Sequence, residues 1–95
     1  MTLEIKSSEL KKIIENGGQL IDVRSPAEFN QGSLQHAVNM PIEFMPAYAE
    51  ELDRSRPVLI YCLSGIRARM VKRFLESLGF EKVHNLGGIR QLAHG

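Results

Sequence analysis

The chain contains a single cysteine, Cys62, which excludes an internal disulfide. Any sulfur chemistry at that residue must therefore be resolved by a thiol from another molecule. The formal net charge is only +1, so no global field attracts nucleic acid. The uninterrupted apolar runs are far shorter than a membrane span, and no membrane association is expected. Met1-Thr2-Leu3-Glu4-Ile5-Lys6 lacks the basic start and apolar middle of a secretory leader, which makes the cytoplasm the expected location. His36, His84 and His94 show no metal-ligand spacing with one another or with Cys62, so no metal is expected. Internal repeats, low-complexity tracts and linkers are also missing.

What is present is enough for one domain spanning 1–95. A hydrophobic share of 43% is ordinary for a globular protein, although so short a chain buries a core with little to spare. Leu3 to Lys6 reads as a first strand. Ser7 or Ser8 then caps a helix whose Leu10, Ile13 and Ile14 form one apolar stripe, and Asn16-Gly17-Gly18 stops it. Gln19 to Val23 reads as a buried strand. Ser25-Pro26 opens a short helix, with Glu28 in its first turn and Gly32 at its end. Ala37 to Met40 is a short strand stopped by Pro41. Glu43 to Leu52 is helical, interrupted or begun near Pro46. Val58 to Tyr61 is continuously apolar, as a strand buried on both faces must be.

A helix from about Ile66 to Leu78 follows, with Met70, Val71, Phe74, Leu75 and Leu78 expected on its core side. Phe80 to Asn85 holds a last strand around Val83 and His84. Gly87-Gly88 reads as a turn, and Ile89 to Ala93 as a final helical turn. Strands alternating with helices predict an α/β fold of three layers, α/β/α, around a central and mainly parallel five-stranded sheet.

In such folds the site lies beyond the carboxyl ends of the strands. Cys62 stands there, where the Val58 strand hands over to the next helix through Leu63, Ser64 and Gly65. A helix N-terminus offers free amide hydrogens and the positive end of a dipole, which favour an anion or a thiolate. Gly65 removes side-chain bulk where backbone must wrap an anion, and Arg67 and Arg69 add positive charge. The bland alternative is a small buried hydrophobe, the commonest role of a lone cysteine. Arg67 likewise has two readings: anion binding, or a pair with a nearby carboxylate. The catalytic reading of Cys62 carries a condition, namely that the thiol is acidic and reaches solvent.

Spacing separates the possible chemistries. Cysteine-dependent phosphatases place their phosphate-clamping arginine one position further from the cysteine, where this chain has Ala68. The shorter loop makes a smaller cradle, suited to an attached sulfur atom.

The chain resembles single-domain rhodaneses, the thiosulfate sulfurtransferases, over nearly its whole length. Leu20-Ile21-Asp22-Val23-Arg24-Ser25-Pro26-Ala27-Glu28-Phe29 is similar to the first signature of that family, and Gly32 to Pro41 to the second. Val58 to Arg67 is similar to its active-site loop, and Asn85-Leu86-Gly87-Gly88-Ile89 to its closing segment. The resemblance implies a Cys62 thiolate that takes the outer sulfur of a small anionic donor, thiosulfate or similar, and expels sulfite. A persulfide forms, and a thiol of a small molecule or protein, or cyanide, removes the sulfur. It implies that backbone amides of Leu63, Ser64, Gly65, Ile66 and Arg67 hold the terminal sulfur, and that no metal or organic cofactor takes part. Asp22, Arg24 and Glu28 then form a structural ion-pair network. Ser33 and His36 depart from the family, which usually has histidine and glycine there, and the tryptophan common near Leu92 is absent. Glu28 and Leu63 stand where two-domain thiosulfate enzymes tend to carry basic residues. These departures leave the donor unassigned. Two alternatives stay open: a binding or regulatory module without turnover, and a persulfide carrier loaded by a partner protein.

Overall fold

The computed structural model describes residues 7–89. Element by element, the chain runs α1 (Ser7–Glu15), β1 (Gln19–Asp22), α2 (Pro26–Asn30) and β2 (Val38–Asn39). A 3₁₀ turn (Ile42–Phe44), α3 (Met45–Tyr48), β3 (Val58–Cys62), α4 (Ile66–Ser77) and β4 (Val83–Gly88) complete it. All described strand pairs are parallel, in the order β2-β1-β3-β4. The sheet thus has four described strands where five were expected. The remaining one, Leu3 to Lys6, lies outside the described residues, as does most of the helical turn expected at Ile89 to Ala93.

The two faces of the sheet carry separate cores, as the two-residue period of a strand requires. Leu20, Leu59, Tyr61 and Leu86 point to the face covered by Leu10, Ile13 and Ile14 of α1. Ile21, Val58, Ile60, Cys62 and Val83 point to the other, against Met45 of α3 and Ala68, Val71 and Leu75 of α4. Helices therefore cover both faces, giving three layers. Val58, Leu59 and Ile60 are wholly buried. Burial stabilises each by about 1.5–3 kcal/mol, which explains the unbroken apolar run at the middle of the sheet.

Local signals account for most boundaries. Ser25 caps α2 with a capping box: its Oγ accepts from the Glu28 amide, and Glu28 Oε1 accepts from the Ser25 amide. Pro46 sits in the first turn of α3, where a missing amide hydrogen costs nothing. Three expectations need correction. Ser7 and Ser8 lie within α1 rather than ahead of it. Gly87 and Gly88 belong to β4, paired with Tyr61 and Cys62, and do not form a turn. Met70, expected in the core, is 57% exposed; Val71 and Leu75 are buried as expected, and Ala68 joins them.

Candidate active site

Cys62 is the last residue of β3, which runs between β1 and β4. Leu63, Ser64 and Gly65 turn the chain into α4. Gly65 is the N-cap of that helix with φ 96°, a left-handed conformation that glycine adopts without steric cost. The turn brings the Gly65 amide back to Cys62, where it donates to Sγ at 2.9 Å. Sγ therefore lies at the mouth of a twelve-residue helix whose first-turn amides have no intrahelical acceptors.

The loop is held from behind by β4. Asn85 Nδ2 donates to the Gly65 carbonyl at 3.2 Å, and Asn85 Oδ1 accepts from the Gly87 amide at 2.8 Å. Gly88 lies directly beneath Leu63, so that a Cβ there would run into the Leu63 carbonyl oxygen. Neither Asn85 nor Gly88 was singled out for the site from sequence. One signal was available: glycine inside a strand marks the close approach of another backbone.

The structure places Cys62, Leu63, Ser64, Gly65, Ile66 and Arg67 along the turn from β3 into the first turn of α4, but they face different ways. Leu63 is 44% and Ile66 59% exposed, and Ser64 is exposed too, while Gly65 is buried. The Arg67 guanidinium takes the second of its two readings. Its Nη1 and Nη2 donate to Glu28 Oε1 and Oε2 at 2.8 and 3.0 Å. Hydrogen bonding from Arg67 holds the Glu28 carboxyl down to about 2, and in return the Glu28 bond raises Arg67.

The expected network of Asp22, Arg24 and Glu28 divides in two. Arg24 Nε and Nη2 bond Asp22 in a buried fork, and Nη2 also reaches the Gly32 carbonyl. Glu28 turns away to Arg67. Tyr61 packs rather than reacts. Its hydroxyl accepts from the Leu34 amide at 3.0 Å, its ring lies 5.7 Å from the Arg24 guanidinium, and burial pushes it up to about 12. His36 is exposed and holds φ 71°, so the turn keeps the left-handed backbone that glycine would adopt more easily.

The condition that the thiol reach solvent is not met: Cys62 is 0% exposed. It belongs to the α4-side core, and the loop from Leu63 to Gly65 touches it through the Gly65 amide. A buried Sγ meets a reagent only after a local opening of the surrounding structure.

The chain matches the family described as the rhodanese-like domain over residues 6–94, and it belongs to that family. A sulfurtransferase of Allochromatium vinosum is 34% identical over 90 residues, covering 93% of this chain and 84% of that protein. A tRNA uridine(34) hydroxylase of Pelagibacter ubique is 34% identical over 88% of this chain, which spans only 29% of that protein's length. A solved structure described as rhodanese with anions from E. coli is 30% identical, with a TM-score of 0.75 over 81% of this chain and 93% of that one. The family therefore includes sulfurtransferases, and its domain also occurs inside a longer protein with another role.

Proposed function

We propose that this protein is a sulfurtransferase that carries sulfane sulfur on Cys62. The observation that carries the reading is the Gly65 amide donating to Cys62 Sγ at the N-terminus of α4. Such a donor stabilises a thiolate more than a thiol, and the same loop amides suit the negative terminal sulfur of a persulfide.

The first step forms a bond from the Cys62 thiolate to the outer sulfur of thiosulfate or a similar small anionic donor. The sulfur–sulfur bond of the donor breaks, and sulfite leaves with the electron pair. In the second step an acceptor thiolate attacks the outer sulfur of the persulfide and Cys62 departs as thiolate. The redox balance closes within the transfer, so neither metal nor organic cofactor is required. Cys62 is the nucleophile. The amides of Leu63 to Arg67 form the cradle, and Arg67, braced by Glu28, borders it. Because Sγ is buried, turnover includes a local opening step before each attack.

Intact mass after exposure to thiosulfate tests the proposal. The expected result is a gain of one sulfur atom, removed by a thiol or by cyanide and absent from Cys62→Ser. A parent protein that gains no sulfur from any small donor or from a cysteine desulfurase would overturn it. Loading by the desulfurase alone would select the persulfide-carrier form of the same chemistry, which the buried thiol also supports.

A further inference from the structure

Large hydrophobic side chains exposed among the described residues are few: Val38, Phe44, Leu63, Ile66 and Met70. Three of these five follow Cys62 within eight positions. Leu63 belongs to the loop that follows Cys62, and Ile66 opens α4. Ile66, Met70 and Phe74 are spaced by four along α4 and make one continuous stripe, distinct from the buried row of Ala68, Val71 and Leu75. Met70 and Phe74, with Val71 between them, form one wall of an open groove of about 200 Å³, whose other wall is Ile42, Met45 and Pro46. Phe44 is exposed on the same 3₁₀ turn as Ile42.

Charge along this surface has one dominant sign. Arg69 and Arg73 lie three residues beyond Ile66 and Met70, so they border the stripe on its solvent side. Both are exposed, and neither takes part in an ion pair among the described residues. Glu43 is the one acidic residue of the segment forming the opposite wall. A second copy of this chain is a poor occupant, because a two-fold contact centred on the stripe would set Arg69 and Arg73 close to their own counterparts.

We propose that the Leu63–Ile66–Met70–Phe74 stripe, edged by Arg69 and Arg73, docks an acidic protein that presents an apolar strip and exchanges sulfur with Cys62 through its own thiol. Such a partner packs on Leu63, an exposed side chain of the loop beside Sγ, and on Ile66 at the start of α4. Docking and access to the thiol are thereby coupled. The transfer step rests on the Cys62 persulfide proposed above; the docking step does not.

The test separates the two. The probe is a labelled helical peptide with a leucine stripe, glutamates along one edge and one cysteine; its control has lysines in place of the glutamates. Binding is measured by fluorescence anisotropy to the Cys62→Ser protein, so no sulfur chemistry intervenes. The acidic peptide is expected to bind about tenfold more tightly than the control, with the gap narrowing as salt is added. Met70→Glu should abolish the binding, and Arg69→Glu with Arg73→Glu should reverse the preference. Discharge of persulfide-loaded protein by the acidic peptide should fall in these variants, while discharge of Met70→Glu by a small thiol is unchanged. Equal binding of both peptides, or indifference to the three substitutions, would overturn the proposal. So would a parent dimer that Met70→Glu dissolves, which would give the face to a second copy. If docking holds but Cys62 never takes up sulfur, the surface stands and the catalytic reading falls.

Discussion

Two arginine–carboxylate pairs lie near the site, and their environments set them apart. Asp22 ends β1 and Arg24 follows it by two residues, with side chains 0% and 6% exposed. Asp22 accepts from the Arg24 amide as well as from its guanidinium, and Arg24 reaches on to Gly32 and stacks near Tyr61. Arg67 and Glu28 join α4 to α2 with a two-pronged bond as well, through Nη1 and Nη2, but with side chains 32% and 29% exposed. The first pair is locked into the end of the sheet, where losing one partner strands a buried charge. The second is wetted, and water replaces its partners at little cost. Identical chemistry thus gives a rigid frame in one place and a releasable brace beside the loop in the other.

Asp22→Ala should show the largest effect. It leaves the Arg24 guanidinium buried without its counter-charge, and urea unfolding should report a loss of about 3–5 kcal/mol. A loss under 1 kcal/mol would mean that the two pairs do not differ as described. Gly88→Ala comes next and probes the loop without touching either pair. Its Cβ forces the Leu63 carbonyl outward, at a cost of about 1–3 kcal/mol. Sulfur uptake at Cys62 should fall, while circular dichroism keeps the parental helix signal. Unchanged uptake would show that the loop does not depend on its seat against β4.

Glu28→Gln should cost at most about 1 kcal/mol. Its clearer readout is Cys62 labelling by a thiol reagent, which should speed up as Arg67 is released; equal rates would break the idea of a brace. Acid titration refines the same point. The Glu28 carboxyl lies at about 2 in the folded protein against an ordinary 4.5, because Arg67 hydrogen-bonds it. Its folded value is depressed, so the pair's contribution is complete above about pH 4.5 and disappears as pH falls toward 2. The parent should lose stability across that window by more than Glu28→Gln does, and parallel curves would contradict the assignment.

Much of this was legible locally. The Ser25-Pro26 cap, the apolar run into Cys62 and the glycine before α4 each state their structure within a few residues, because capping and strand burial are short-range. Met70 was misread because four-residue spacing defines two apolar rows on α4, and only the packing of α4 on the sheet selects the buried one. Gly88 was misread because its requirement comes from Leu63, a neighbour in space and not in sequence.

Sequence alone therefore determined the alternation of strands and helices, the placement of Cys62 at a strand end, and the chemistry a thiol at a helix mouth invites. Tertiary structure alone decided that Arg67 spends its charge on Glu28, that the thiol is closed off, and that Ile66 and Met70 face outward. The reason is range: hydrophobic period and caps are written in adjacent residues, whereas charge partners and solvent access depend on segments the chain brings together only on folding.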